Sequence, residues 1–473
     1  MRRIISFFLF LVSLSLVLPI SSCKKPTAKN ACALDLTYDD ENGIISGKAA
    51  YKFVNSSNSV LNEVLFNLYP NLFNGKNDVF SSEKKTEIFY AGEALGGIKI
   101  SSVTSGGMPL AFSFSEDELL LQVKTGEIFP NDEIEIETEF STTVPKARNR
   151  LGITENVVNL ADFYPTLCKL TENGFVTPEY CGIGDPVFAD CTDFTASLSV
   201  PSPYAAACSG APTKTVIDGE RTNYFFDLEN GRYFALALSD KFNVSAVKSG
   251  DTDIYYYSAG ENDGRLIDAK NCFDFYAGTF GAYPYKVFSI VETGLDELGA
   301  EFSGMCFINE TAKPEDKQRA LPHEIAHGWW GTACGTDRIN EAFLGEGLAG
   351  YSVYLYCLSS GKTEQAEQMI GTAKAAYKSF FEINSIFAGK ADTSMNRPLK
   401  SFKSEAEYAA IVYDKSLIMF TELEKTVGAK KNASHLKKLF ADNKFGCITA
   451  NELINAFGRR EYFDSFISGK VII

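Results

Sequence analysis

Two histidines spaced one helical turn apart constrain this chain more than any other feature. His323 and His327 enclose Glu324 in the segment 320–331, and Glu346 follows after eighteen intervening residues. Residues four apart share one face of a helix, so both imidazoles can reach one ion while Glu324 points toward the open side of that ion. The motif therefore requires a helix here and a second element that returns to it.

The composition makes this motif specific. The chain has only three histidines, and His435 is the one outside the motif. A chance His-Glu-x-x-His is expected on the order of one time in a thousand or less; the alternative is a surface helix that carries two histidines by accident. A catalytic zinc ion takes three protein ligands and keeps a fourth position for water. The sequence therefore predicts one Zn²⁺ per chain.

Glu346 is the predicted third ligand. It lies in a Gly-flanked apolar run, residues 342–355, that indicates a second helix. A carboxylate in such a setting needs a charged partner to be buried. Ligand histidines usually donate their second nitrogen to a carboxylate or carbonyl, and Asp337 and Glu341 are candidates for that contact.

These residues resemble the aminopeptidase N and leukotriene hydrolase family of zinc metallopeptidases, the gluzincins. The family signature is His-Glu-x-x-His, eighteen residues, then Glu. The resemblance implies a thermolysin-like, mostly helical catalytic domain in which Glu324 is the general base for water. Tyr413, in Tyr413-Asp-Lys-Ser, resembles the family's Tyr-Glu-Lys-Gly segment and is implied as the oxyanion donor. Tyr408 also matches a tyrosine of some members.

A second segment resembles the strand with which the family binds a free amino terminus. It is Leu298-Gly299-Ala300-Glu301-Phe302-Ser-Gly, compared with Gly-x-Met-Glu-Asn. The resemblance implies that Glu301 pairs with the substrate ammonium and that the backbone of Gly299 and Ala300 pairs with the peptide by strand addition. The departures at Leu298, Ala300 and Phe302 keep the carboxylate but leave the shape of the subsite open.

The domain organisation is predicted as β followed by α+β. Residues 32–247 show short alternating runs between turn signals, which favours antiparallel strands, and resemble the saddle-like amino-terminal domain of the same family. Residues 248–473 are predicted to form the catalytic domain. Only sixty residues follow Tyr413, so we expect the large helical domain of longer members to be absent and the cleft to be more open.

The first residues have the pattern of a targeting segment. Arg2 and Arg3 precede an apolar run, and Ile20-Ser-Ser-Cys23 resembles a bacterial lipobox. We expect a signal peptide at 1–22, lipidation of Cys23, a tether at 23–31 and an exported cell-envelope lipoprotein. An ordinary secretory signal and a secreted protein are the alternative. No later stretch is long enough to cross a membrane, so contact with it is expected through the lipid anchor only.

The net charge and the cysteine spacing limit which partners, metal clusters and disulfides are expected. Removing Arg2 and Arg3 takes the formal net charge from −15 to −17, which argues against nucleic acid as a partner. Ten cysteines follow Cys23 without a Cys-x-x-Cys pair, so a second zinc cluster has no support. A bridge among Cys168, Cys181 and Cys191 and an arrangement of buried thiols both stay open.

Together these patterns predict a zinc-dependent aminopeptidase that acts on peptide substrates. A zinc peptidase not restricted to free amino termini is an alternative, because the substrate strand is altered and the helical cap is absent. A non-catalytic peptide-binding lipoprotein is the alternative from another class. Side-chain preference and oligomeric state are not predicted.

Overall fold

A computed structural model describes residues 29–177, 179–185, 187–260, 264–387 and 391–470. The predicted signal peptide at 1–22, Cys23 and the tether up to residue 28 lie outside the described residues. The predictions of lipidation and export therefore remain predictions. No helix within the described ranges combines the length and the apolar character needed to cross a membrane.

The first half of the chain is built from strands. They are β1 (Asn30–Asp39), β2 (Ile44–Val54), β3 (Leu61–Asn67), β4 (Gly97–Ser105), β5 (Met108–Pro109), β6 (Phe112–Phe114), β7 (Leu120–Ile128), β8 (Glu133–Thr143), β9 (Leu151–Ile153), β10 (Val158–Ala161), β11 (Thr166–Leu167), β12 (Leu170–Thr171), β13 (Gly174–Phe175), β14 (Thr192–Pro201), β15 (Ala205–Cys208), β16 (Ala211–Asp218), β17 (Arg221–Gly231) and β18 (Ala235–Ser239). One helix, α1 (Ser82–Ile88), and a 3-10 helix, Tyr69–Phe73, interrupt them.

Alternating burial explains why these segments are strands. In β8, Ile136, Thr138 and Phe140 point into the core while the glutamates between them face outward. Within the described residues the largest sheet has eight strands in the order β16-β17-β14-β1-β2-β8-β4-β5. The strands of this sheet pair antiparallel, as predicted, except at one place, where β1 pairs parallel with β14. The long connection between them lets the chain return in the same direction.

The second half begins with strands and continues as helices. The strands are β19 (Asn243–Ser249), β20 (Thr252–Ser258), β21 (Val287–Thr293), β22 (Gly299–Phe302), β23 (Met305–Asn309), β24 (Gly335–Thr336) and β25 (Cys447–Ile448). The helices are α2 (Arg265–Phe280), α3 (Pro314–His327), α4 (Ala342–Ser359), α5 (Thr363–Phe387), α6 (Glu405–Tyr408), α7 (Lys415–Val427), α8 (Ala429–Asn443), α9 (Ala450–Phe457) and α10 (Arg460–Ile467). A 3-10 helix, Leu399–Ser401, and a π-helix, Ala409–Asp414, complete them.

The sheet of the second half has the order β19-β20-β21-β23-β22, which makes β22 an outermost strand. Strand β19 spans position 248, where the sequence predicts the domain boundary. A β-rich half followed by a mainly helical half confirms the predicted fold class.

The cysteines resolve one open alternative. All ten cysteines of the described residues are free thiols, and most of them are buried. The bridge considered among Cys168, Cys181 and Cys191 is therefore absent. Cys168 is buried in the core, whereas Cys181 and Cys191 are half-buried in the connection toward β14.

Candidate metal centre

Helix α3 carries both histidines because its sequence favours a helix start at one end and tight packing at the other. Pro314 occupies the first turn, where a missing N–H costs no hydrogen bond, and Glu315 and Asp316 face the positive helix start. Beyond the helix, Trp329 Nε1 donates to the Gly281 carbonyl at 2.9 Å and Trp330 Nε1 donates to Ser352 Oγ at 3.1 Å. The two indoles thus fix the end of α3 against the turn after α2 and against α4.

Helix α4 brings Glu346 back to the histidines. It is apolar on nearly every side and largely buried, as expected for a helix inside a core. A Cβ atom at Gly347 would lie 2.6 Å from Cβ of Ser416 on α7, so the glycine lets these two helices approach closely. The glycines around Glu346 therefore have a packing role in addition to surrounding the carboxylate.

Three ligand atoms meet at one position. The Nε2 atom of His323 lies 3.1 Å from Oε2 of Glu346 and 3.1 Å from Nε2 of His327, and the third side of the triangle is 3.4 Å. Ligand atoms about 2.0–2.1 Å from a tetrahedral zinc ion are separated by about 3.3 Å. The donor set and its spacing fit a zinc ion.

A backbone contact sets the tautomer of His327. Its Nδ1 lies 2.8 Å from the Trp330 carbonyl oxygen, so the N–H is there and the lone pair of Nε2 faces the site. The suggested carboxylate partners are wrong. Asp337 accepts the backbone N–H groups of Ile339 and Asn340, and Glu341 accepts that of Ala450. Both carboxylates are used in holding the loop between α3 and α4.

The site favours a cation. Burial lowers the pKa of His327, but the carboxylates of Glu301 and Glu346 outweigh burial and raise it to about 10. Burial raises the pKa of Glu346, yet His327 and His323 hold it well below its ordinary value. Positive charge at this position is therefore strongly stabilised, which is what a divalent ion would supply.

Glu324 has the environment of a group that takes and returns a proton. Burial, and next the charge of Glu301, raise the pKa of this carboxyl well above its ordinary value. Within the described part of the chain its Oε2 atom has no hydrogen-bond partner. One ligand-capable atom from each of Glu324, Glu301 and His327 lies within 4.8 Å of the others. An unpartnered buried oxygen beside the ligands is suited to bind a water molecule.

Tyr413 borders the exposed side of the centre. Its residue is 39% exposed, and its ring centroid lies 6.1 Å from that of His323. It sits in the π-helix Ala409–Asp414, a rare local structure that is frequent at functional sites. Tyr408, buried one turn earlier, contacts the Tyr413 ring edge-on at 5.7 Å. The structure thus brings both predicted tyrosines to the site.

The predicted substrate strand is β22. Being outermost in its sheet, it pairs with β23 on one side, and Glu301 stands opposite Cys306 in that pairing. Ala300 is buried and Gly299 half-buried. The Oε1 atom of Glu301 lies 3.7 Å from Nδ1 of His327. The strand therefore places a carboxylate directly beside a predicted metal ligand, His327.

The sequence did not single out Arg338. Its Nη2 contacts Oε1 of Glu301 and its Nη1 contacts Oδ2 of Asp185 from the β-rich half. Arg338 also lines a cavity together with His327, Glu346 and Tyr408. The position of Arg338 in the sequence, between His327 and Glu346, could have suggested that it lies near the site. Nothing in the sequence indicates which carboxylates it contacts.

Two imidazoles and one carboxylate lie at tetrahedral spacing, next to a buried carboxyl whose Oε2 has no hydrogen-bond partner among the described residues, and such a set forms a candidate metal site of the kind found in hydrolytic centres. Residues 269–468 match the family model described as the peptidase family M1 domain. No curated protein sequence shows a significant match to this chain.

Solved structures agree with this assignment in fold. The M1 zinc metallopeptidase from Deinococcus radiodurans is 16% identical, with a TM-score of 0.65 over 94% of this chain and 95% of its own. Its mutant bound to the substrate Tyr-Ser-Ala gives 16% identity, a TM-score of 0.65 and the same two coverages, 94% and 95%. A two-domain M1 zinc metallopeptidase mutant bound to L-tryptophan is 16% identical, with a TM-score of 0.65 over 94% of this chain and 96% of its own.

The resemblance drawn from the sequence is confirmed, because this chain carries an M1 peptidase domain and has the two-domain fold of M1 zinc metallopeptidases. The domain at residues 269–468 is accordingly that of a metallopeptidase, and the solved structures with the same fold are described as zinc metallopeptidases.

Proposed function

We propose that this protein is a zinc-dependent aminopeptidase that removes amino-terminal residues from peptides, with His323, His327 and Glu346 holding the ion. The position of Glu301 carries the proposal. Its carboxylate lies 3.7 Å from a ring nitrogen of His327, on an outermost strand. If the substrate ammonium binds at Glu301, only one residue fits between the ammonium and the peptide bond at the metal centre. Cleavage would then be restricted to the first residue.

The chain's own groups support the chemistry in three roles. His323, His327 and Glu346 would hold the zinc ion, which would acidify a water molecule and polarise the substrate carbonyl. Glu324, with its raised pKa, takes the proton of that water and later delivers it to the leaving amine. Tyr413, on the exposed side next to His323, donates a hydrogen bond to the developing oxyanion.

Substrate binding follows from β22 and its neighbours. An extended peptide adds to the outermost strand through the backbone of Gly299 and Ala300, and its ammonium pairs with Glu301. Solved relatives hold a tripeptide in one case and free L-tryptophan in another. That these ligands are short peptides and amino acids is in line with cleavage at an amino terminus.

One observation favours a second candidate, a zinc peptidase not restricted to free amino termini. Arg338 contacts the carboxylate of Glu301 directly and offsets its charge. An offset carboxylate discriminates less between a charged ammonium and a blocked, neutral amino terminus.

Turnover of matched peptides separates the candidates. The zinc-loaded protein and its Glu324→Gln variant are incubated with fluorogenic amino-acid amides, with a free tripeptide and with its amino-acetylated form, each with and without chelator. Chelator-sensitive cleavage of the free substrates alone supports the aminopeptidase. Equal cleavage of the acetylated peptide supports the second candidate. Peptide binding without cleavage in the parent protein would leave only a non-catalytic binding protein.

For the cellular location we propose an exported protein held at the cell envelope by a lipid on Cys23. The proposal is supported by the basic, apolar and Ile-Ser-Ser-Cys order of the first residues. Labelling cells with a radioactive fatty acid tests it. Label should enter the parent protein and not its Cys23→Ser variant, and absence of label from both would favour the secreted alternative.

A further inference from the structure

Five alternating charges connect the β-rich half of the chain to the substrate strand. Glu301 contacts Arg338, and Arg338 contacts Asp185. Asp185 pairs with Arg150 at 2.9 Å, and Arg150 pairs with Glu297 at 2.8 Å. Asp185 and Arg150 belong to the first half, whereas the other three belong to the second. The environment of Glu301 is therefore set by both halves of the molecule.

Among these five charged residues, the two nearest the candidate metal centre are shielded from water. The side chains of Arg338 and Glu301 are only 7% and 9% exposed. The guanidinium also lies 4.9 Å from the centroid of the Tyr233 ring. Charges in such surroundings interact much more strongly than charges on the surface. A change of one charge at Arg338 or Asp185 should therefore be felt by a cation bound at Glu301.

We propose that Arg338 and Asp185 are specificity-determining residues that set the affinity for the substrate's amino terminus. The inference rests on the proposed function, in which Glu301 pairs with the ammonium. Arg338 forms an ion pair with Glu301, and its positive charge repels the ammonium. Asp185 offsets that charge from the other side. The balance of the two decides how strongly a free amino terminus is preferred over a blocked one.

This arrangement predicts opposite effects for two substitutions in one ion pair. Arg338→Gln removes a positive charge beside Glu301, so a free amino terminus should bind more tightly, by about tenfold. Asp185→Asn removes the group that offsets Arg338, so a free amino terminus should bind more weakly, by about threefold because the lost charge is further away. A merely structural contact would weaken binding in both variants.

Binding is measured without turnover on the Glu324→Gln background of the full-length, zinc-loaded protein. Isothermal calorimetry gives the Kd of a tripeptide with a free amino terminus and of its acetylated form. The Kd of the acetylated peptide should change less than about twofold in either variant, since it carries no charge there. The double variant Asp185→Asn/Arg338→Gln leaves the net charge unchanged, and the two opposite effects should combine to a Kd about threefold below the parent value.

The outcomes are distinct. Opposite shifts for the free peptide support the inference. Shifts in the same direction, no shift, or equal shifts for the acetylated peptide overturn it. If Arg338→Gln does not fold, Arg338→Lys and the double variant replace it. Arg338→Lys should keep the parent Kd, and the double variant should bind about threefold more tightly, whereas a loss of affinity in the charge-balanced double variant overturns the inference. The proposed function is overturned as well if the Glu324→Gln protein binds both peptides equally and the protein with Glu324 intact cleaves neither.

Discussion

Gly299 and Glu324 are packed so closely that a Cβ atom at position 299 would lie 2.6 Å from Cγ of Glu324. The strand that is proposed to bind the peptide therefore touches the carboxyl that is proposed to move the proton. Any larger residue at 299 must displace either the strand or the carboxyl.

Gly299→Ala should lower kcat/KM about a hundredfold, because a shift of Glu324 of about 1 Å misplaces a proton-transfer group. Zinc content, measured by plasma mass spectrometry, should stay at the parent level. Gly278→Ala is the matched control, since a Cβ atom there meets nothing within 4 Å. It should leave activity intact and stabilise α2 by about 0.5–1 kcal/mol. An unimpaired Gly299→Ala enzyme would contradict the close contact.

Removal of one metal ligand should separate zinc binding from folding. His323→Ala or Glu346→Gln should lose bound zinc and all chelator-sensitive turnover. Zinc at about a thousand times its Kd stabilises a folded site by about 4 kcal/mol, so the rise of Tm on adding zinc should disappear in these variants. His435→Ala, which changes the remaining histidine next to Phe457, should keep both zinc and the rise of Tm. Retention of zinc by both ligand variants would disprove the assignment.

The two tyrosines should differ in their effect on chemistry. Tyr413→Phe should lower kcat about a hundredfold with little change in KM, because its hydroxyl is proposed to act on the transition state alone. Tyr408→Phe removes a neighbouring hydroxyl and should lower kcat less than about fivefold. Steady-state kinetics on one amino-acid amide, with zinc content checked, distinguishes the two. The reverse order would assign the oxyanion to Tyr408.

Asp162→Asn should stabilise the protein at neutral and alkaline pH. Burial raises the pKa of Asp162 to about 7, against an ordinary value near 3.9 in the unfolded chain. Between about pH 3.9 and pH 7 the Asp162 carboxyl is ionised in the unfolded chain but still protonated in the folded protein. Raising the pH through this range therefore lowers the free energy of unfolding, and above about pH 7 the loss is complete. The variant lacks this penalty, and asparagine tolerates the left-handed backbone at this position, where φ is +50°.

The gain from Asp162→Asn should grow from pH 4 to pH 7 and then stay constant, at roughly 2 kcal/mol. Urea unfolding at several pH values measures it. Asp240→Asn, at an exposed position, is the control and should change the free energy of unfolding by less than about 0.5 kcal/mol at each pH. A gain that is equally large at pH 4 would show that Asp162 is not protonated in the folded state.

Local sequence signals predicted the elements that carry the chemistry. The helix required by the two histidines is α3, Pro314–His327, and the apolar run at 342–355 is the core of α4, Ala342–Ser359. These signals are reliable because a repeating pattern of apolar residues is a property of the segment itself. The hydrogen bonds of Asp337 and Glu341 were not predictable, because several partners compete for a carboxylate once the loop is packed.

The sequence by itself determined that two imidazoles share one helix face, that a glutamate follows on a second apolar helix and that a β-rich half comes first. Each of these depends on residues near one another in the chain. Only the tertiary structure decided that Arg338 lies between Glu301 and Asp185, and that Gly299 touches Glu324. Such contacts join residues distant in sequence, and they are fixed by how strands and helices pack around one core rather than by any local pattern.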